Sequence, residues 1–296
     1  MKNLVLGIVA SLFMFTSAMA EVTMVVPQKP GQGTTVWADI VKKELEKHLG
    51  EKITLRLIPG ARDIPGINAW HNDLRFDENT IVVTHGGNGV SFLQEQVDYN
   101  YAEYDSVGLM NLNIIAGKRI GDDMSKPRFP AGSGMVPEAF AMTLMLCGPD
   151  KSVDEYIACF KENVVWVKGM SGLAFKRGDL NGTRENPATY QKHVEPDTNA
   201  ELWFHHGLLD PTTGNHVDDT NYPAGYQVEQ IFEARWGVAP SGEFYDAYKL
   251  VKSFRDGLQK AIWVNKGNEG LRKRMISAMY AMKNDTDSMA AIEAKN

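Results

Sequence analysis

The residues of this chain best suited to chemistry are glycines and small polar side chains gathered in short loops, with cations nearby. Gly31, Gln32, Gly33, Thr34 and Thr35 follow an apolar run and open a helical pattern. Ala61, Arg62 and Asp63 follow a second apolar run, and His85 and Gly86 a third. Gly132, Ser133 and Gly134 repeat the arrangement further along, as do Lys168, Gly169 and Ser171. A glycine turn that runs into a helix N-terminus leaves backbone N–H groups aimed at one spot, and that spot attracts an anion. Arg62 and Arg184 are the preferred charged contacts, although each could instead face solvent or pair with Asp63 or Glu185. Lys168 and His85 each end an apolar run and are placed to reach the same crevice. The plain alternative at every turn is an ordinary strand-to-helix connection.

These residues need elements to hold them. Val22 to Val26 is a β-branched apolar run, Pro27 to Gly33 is dense in breakers, and Thr34 or Thr35 can cap a helix. Val36, Ile40, Val41, Leu45 and Leu49 then fall on one face of it. Ile53–Ile58 and Thr80–Thr84 read as further strands, each emptying into a glycine-bearing loop. In open α/β sheets the loops at the carboxyl ends of the strands form the ligand crevice. Val107 to Ile115 reads as another strand, and Gly121 to Pro130 as a hinge or crossing between domains. Ser152 with Glu155 forms a capping-box pattern before Val153–Phe160, and Val164–Val167 is a strand. Trp203 to Tyr226 reads as a loop or extended crossing segment. Phe244 to Trp263 and Leu271 to Met282 are helical by period. Trp37, Trp70 and Trp203 lie near the glycine loops, so one could line the crevice.

Residues 1–20 form a separate object: Lys2, the apolar run Leu4 to Phe15, then Ser17-Ala18-Met19-Ala20 before Glu21. This is the pattern of a secretory signal peptide cleaved after Ala20, which implies a periplasmic, exported protein. Removing it takes one Lys and no acid, so the formal charge moves from −6 to −7. An acidic balance argues against nucleic acid as a partner, because phosphate binding needs a concentrated basic surface. Cys147 and Cys159 are the two cysteines, and in an oxidising compartment a disulfide is favoured over two free buried thiols. His205-His206 suggests a metal, but adjacent side chains rarely point at one ion, so no metal and no cofactor is expected. No G-x-S-x-G, H-E-x-x-H or S-x-x-K stands in its required context. Ser133 could be proposed as a nucleophile, yet no base is implied. A secreted hydrolase of a small ester or amide is thus the rival class, and an enzyme is not expected.

The order of these loops resembles the periplasmic solute-binding proteins of tripartite tricarboxylate transporters, a class II Venus-flytrap group. Pro27 to Thr35 loosely matches that family's first loop, and Pro59 to Gly66 its P-G-A-G-G-x-x-G loop. Ala131 to Gly134 matches a Gly/Ser-rich helix cap, Val165 to Gly169 a strand running into a Lys-Gly turn, Gly178 to Asn181 a corner, and Trp236 to Gly242 a W-G-x-x-A-P-x-G segment. The resemblance implies a two-lobed α/β fold, with residues 21–120 and 225–296 in the first lobe and 121–224 in the second. It also implies a monomer that closes on a small organic anion, a carboxylate or amino-acid-like compound, and delivers it to the membrane permease subunits of a secondary transporter. The departures are Thr35 for an Asp, Asp39 for an Arg, Arg62-Asp63 for Gly-Gly and Glu138 for a His. Arg62 would strengthen carboxylate capture through its planar fork. Glu138 would repel an anion, so the ligand is zwitterionic or Glu138 faces away.

Overall fold

The computed structural model describes residues 21–94, 97–131, 136–168, 171–210 and 212–293. The chain begins β1 (Glu21–Val26), α1 (Gly33–Leu49), β2 (Lys52–Leu57), α2 (Ile64–Asn72), β3 (Thr80–His85), α3 (Gly86–Gln94) and β4 (Tyr104–Met110). It continues through β5 (Ile115–Arg119), β6 (Arg128–Ala131), α4 (Val136–Cys147), α5 (Val153–Asn163), β7 (Val165–Lys168), α6 (Ser171–Lys176), β8 (Gly182–Glu185), α7 (Pro187–His193) and β9 (Ala200–His205). The short strands β10 (Leu208–Leu209) and β11 (His216–Val217) lead to α8 (Val228–Trp236) and α9 (Glu243–Lys252). A π-helical turn at Ser253–Gly257 then leads to β12 (Lys260–Asn265), α10 (Glu269–Lys283) and α11 (Thr286–Glu293).

Among the described residues the largest sheet has the order β2-β1-β3-β12-β4. β1 pairs in parallel with β2 and β3, and β12 lies antiparallel between β3 and β4. Both faces are covered, which is why β1 and β3 read as near-continuous apolar runs. Val22, Met24, Ile81, Val83, Ile262 and Val264 pack against α1 and α10 on one face. Val25, Val82, Ala261 and Trp263 pack against Ile67 and Trp70 of α2 on the other. Each fully buried Leu, Val or Ile contributes roughly 1.5–3 kcal/mol.

A second group of elements has its own sheets, β8-β5-β9 and β6-β7. Its core holds Phe129, Ala141, Met142, Leu144 and Phe204 together with Val228, Phe232, Phe244 and Tyr248 of α8 and α9. The disulfide Cys147–Cys159 ties the end of α4 to α5.

Four expectations about elements need correction. Val107 to Ile115 is not one strand: β4 ends at Met110, β5 starts at Ile115, and the two lie in different sheets. Residues 111–114 therefore link two different sheets, and the end of the Gly121–Pro130 stretch belongs to β6. Phe244 to Trp263 is not one helix, because α9 stops at Lys252 and Lys260–Asn265 is a strand inside the largest sheet. Trp203 to Tyr226 contains β10 and β11 as well as the end of β9.

Candidate functional site

The strand order turns back at β1 and β3. The connection from β1 to β2 runs through α1 on one face, and that from β2 to β3 through α2 on the other. The loops leaving β1 and β3 thus diverge and open a crevice at their carboxyl ends, as expected of a topological switch point. Three loops meet there through one carboxylate. Asp63 Oδ2 accepts from Gln28 Nε2 at 3.0 Å, from His85 Nε2 at 2.7 Å and from Asn88 Nδ2 at 3.3 Å. Gly87 N–H donates to His85 Nδ1 at 2.9 Å, so the ring proton sits on Nε2 and points at Asp63. Burial is the main cause that holds the His85 ring below its ordinary pKa, only partly offset by Asp63. Burial alone would push Asp63 up, but the hydrogen bonds from His85, Gln28 and Asn88 prevail and hold it below the usual carboxylate range. The pair is therefore a carboxylate and a neutral imidazole.

The backbone beneath this node is unusual. Arg62 and Asp63 have φ of 54° and 65°, two of the three non-glycine residues with positive φ among those described. Left-handed backbone costs an L-residue roughly 1–2 kcal/mol, and the three donors on Asp63 hold it there. Arg62 itself is exposed and Ala61 lies beside it at the surface. The first loop also differs from expectation. Gln32, not a threonine, is the N-cap of α1 and makes no side-chain cap. Gln28 Oε1 accepts the Thr34 N–H at 3.0 Å, and Thr35 Oγ1 donates to the Lys29 carbonyl at 2.9 Å. Thr34 and Thr35 are buried, so both serve the loop. Gly31 takes φ 80°, which permits the turn before Gly33. Gly86 starts α3, and a Cβ there would come within 1.8 Å of the Arg255 carbonyl. Only glycine fits.

Two cations at this sheet end escaped the sequence reading. Lys260 opens β12 directly opposite His85 of β3 and Met110 of β4. It is 9% exposed, and no hydrogen bond or ion pair reaches its ammonium among the described residues. Burial first, then the neighbouring Arg255, pull its pKa down to about 8, against a smaller upward pull from Asp63. Arg255, buried in the π-helical turn, is also held below its usual value, first by burial and then by Arg184, while Glu138 and Asp256 oppose the shift. The local signal for β12 was Ala261-Ile262-Trp263-Val264 followed by Asn265-Lys266-Gly267, a buried-strand run closed by a turn.

In the second group, Arg184 of β8 lies with Nε 3.3 Å from Oε1 of Glu138 on α4. Glu138 is fully buried. It therefore faces away from solvent, and its charge is met by Arg184 and by the nearby Arg255. Parallel pairing sets Ala131, the last residue of β6, beside Lys168, the last of β7. Gly132, Ser133, Gly134 and Gly169 lie outside the described residues; Ser171 opens α6. The electrostatic neighbours thus run from Asp63 and His85 through Lys260 and Arg255 to Arg184 and Glu138. The remaining expected residues are structural. Trp37 and Trp70 lie in the cores of the first sheet, and Trp203 packs on that of the second group. His206 Nδ1 meets Asp256 Oδ2 at 2.8 Å, both fully buried, while His205 Nδ1 accepts from Gly207 N–H. No group of His, Cys, Asp and Glu suited to a metal occurs among the described residues, and no described helix is long and apolar enough to cross a membrane.

No family model and no curated protein matches this chain in sequence. Solved structures do match in fold. MatC from Rhodopseudomonas palustris with bound malate superposes with a TM-score of 0.55 at 14% identity, over 93% of this chain and 88% of that one. A TctC solute-binding protein from Polaromonas gives 0.56 at 11% identity, over 93% and 88%. R. palustris Rpa4515 with adipate gives 0.56 at 11%, over 93% and 87%. The chain has the two-lobed α/β fold that these periplasmic solute-binding proteins share, the architecture that the order of its loops implied.

Proposed function

We propose that this chain is an extracytoplasmic solute-binding protein that captures a small organic acid between two lobes and delivers it to a membrane transporter of the tripartite tricarboxylate type. The observation that carries the reading is the charge pattern at the switch point. Lys260, Arg255 and Arg184 stand together there, whereas both nearby carboxylates are already engaged, Asp63 by three donors and Glu138 by burial against Arg184. Among the described residues the cations here outnumber the carboxylates that lack a direct partner, so a carboxylate is favoured over an amino-acid-like compound. The fold shared with malate- and adipate-bound proteins supports the same substrate class.

In this reading the first lobe is 21–110 with 258–293, and the second is 115–252. Segments 111–114 and 253–257 join them, since α8 and α9 share a core with α4. The loops at 31–35, 61–63 and 85–86 take the ligand from the first lobe, and Arg184 approaches from the second. Closure moves the population toward the form in which both lobes touch the acid. The protein acts as a monomer in the periplasm after cleavage behind Ala20, and its partners are the permease subunits.

Hydrolysis is disfavoured at the described residues, because both ring nitrogens of His85 are committed and it is not free to serve as a base. Thermal-shift screening of the mature protein against carboxylates, amino acids and phosphorylated compounds tests the assignment. A ligand at a hundredfold its Kd adds about 2.7 kcal/mol, so a true acid ligand raises the melting temperature by several degrees. If no organic acid does so, or if the hit is consumed, the assignment is wrong.

A further inference from the structure

We propose that Lys260 is the group that anchors the anionic end of the captured ligand, a carboxylate, in the first lobe. This deepens the organic-acid reading and rests on it. The sheet itself aims the side chain. Lys260 and His85 are directly opposed residues of an antiparallel pair, and such residues send their side chains to the same face. The His85 ring reaches Asp63, so the Lys260 ammonium stands on that side too, at the strand end where the three loops meet.

The second observation is a contrast between two buried lysines. Lys252 is fully buried, and Glu229 Oε1 lies 3.2 Å from its ammonium. Lys260 is 9% exposed and has no such partner among the described residues. The fold thus supplies a direct ion pair where a buried lysine is structural and leaves Lys260 with only the more distant, already hydrogen-bonded Asp63. An uncompensated buried charge is among the most destabilising features a protein can carry. A ligand carboxylate supplies what is missing.

The groups that face Lys260 agree. On the loop before α2, Asp63 has its Oδ2 filled by three donors; on β3, His85 is neutral and its Nε2–H is spent on Asp63; from the π-helical turn, Arg255 adds a second positive charge. Met110, its partner on β4, is apolar. A carboxylate entering here meets two cations, against one carboxylate, Asp63, whose Oδ2 already accepts three hydrogen bonds. With burial and Arg255 holding the empty-site ammonium at about 8, a bound carboxylate must raise that value. Binding above this pH therefore takes up a proton.

The test uses the full mature protein with malate, succinate and adipate as probes. For whichever acid binds, calorimetry at pH 9 in buffers of different ionisation enthalpy is expected to show proton uptake in the unaltered protein. Lys260→Met should keep the fold, lose roughly tenfold to hundredfold in affinity and show no proton uptake. Lys260→Arg should retain most of the affinity and also lose the uptake, because a guanidinium does not titrate there. If an acid binds but Lys260→Met binds it with undiminished affinity, or the unaltered protein takes up no proton, the anchoring role is refuted while organic-acid capture stands. If none of the acids binds the unaltered protein, organic-acid capture fails and this assignment with it.

Discussion

Replacing Lys260 by methionine should make the empty protein more stable, and the size of the gain follows from its surroundings. The ordinary lysine value is 10.5 and the folded value is about 8. A shift of one unit corresponds to about 1.4 kcal/mol, so the charged side chain costs the fold about 3 kcal/mol. The folded pKa is depressed, so its stabilising balance is intact above 10.5 and lost as pH falls through about 8. Below 8 both folded and unfolded chains carry the proton, and the full cost is felt. Methionine keeps an unbranched chain of similar length without the charge. Lys260→Met should thus unfold about 3 kcal/mol harder than the unaltered protein at pH 7, a melting difference of roughly 5–10 °C for a chain of this size. The advantage should shrink from pH 8 and vanish near 10.5. Urea unfolding of both proteins at pH 7, 8, 9 and 10 measures it. A variant that is less stable at pH 7, or an advantage that does not narrow with pH, would refute the reasoning.

Three further outcomes follow from the same geometry. Asp63→Ala should cost about 2–3 kcal/mol for the lost charged hydrogen bonds and roughly 1 kcal/mol more for alanine in left-handed backbone, so Asp63→Gly should be the more stable of the two in urea unfolding. The reverse order would show that φ 65° carries no strain. Arg184→Met strips Glu138 of its paired guanidinium and should cost about 3–5 kcal/mol, most of which Glu138→Met in the same chain should restore. A double-mutant cycle measures that coupling, and additive losses would rule the pair out as a unit. Replacing Cys147 and Cys159, which are 12 positions apart, by alanine should lower stability by about 3 kcal/mol, since a loop of this length gains that much from closure. A melting temperature unchanged by the replacement or by reductant would refute it.

Two of the strands before the first three loops, β1 and β3, were legible because they are buried on both faces, and the edge strand β2 because its β-branched and aliphatic residues alternate with polar ones. Val22–Val26 and Thr80–Thr84 are runs rich in β-branched apolar residues and bounded by breakers, and Ile53–Ile58 alternates, so local pattern and tertiary role coincide in all three. β12 was hidden for the opposite reason. Aromatic and aliphatic residues at helical spacing continue from Phe244 past Gly257, while the strand exists only because β3 and β4 flank it from far away in sequence. The break at 111–114 was marked by Asn111 and Asn113, whose side chains bond to the Leu209 carbonyl and to Asp219 across the crossing. Polar residues in an apparent strand run were the signal, and only the partners explain them. The glycine loops and Arg184 could likewise be read, but Lys260, Arg255 and the pairing of Arg184 with Glu138 could not. Glu138 and Arg184 meet through α4 and β8, and Lys260 meets His85 only through sheet register.

What sets the switch-point region apart is that several local rules are broken at one place. Two successive non-glycine residues, Arg62 and Asp63, hold left-handed backbone there. A lysine 9% exposed has no counter-ion among the described residues. The segment between α9 and β12 takes a π-helical turn, a form frequent at functional sites. Each feature is tolerated because its surroundings over-determine it. Three donors pin Asp63, and the π-helical turn is pinned at Asp256, whose carbonyl accepts Leu112 N–H at 3.2 Å and whose carboxylate meets His206 at 2.8 Å. β12 is held on both edges, and Trp263 Nε1 donates to Thr84 Oγ1 at 2.7 Å. Strain that a fold retains against such cost collects where function requires it. The direction of inference runs from these outliers to a ligand. An anion at Lys260 would remove the largest of them, so the same contact that binds the acid would also make the first lobe more stable than it is empty.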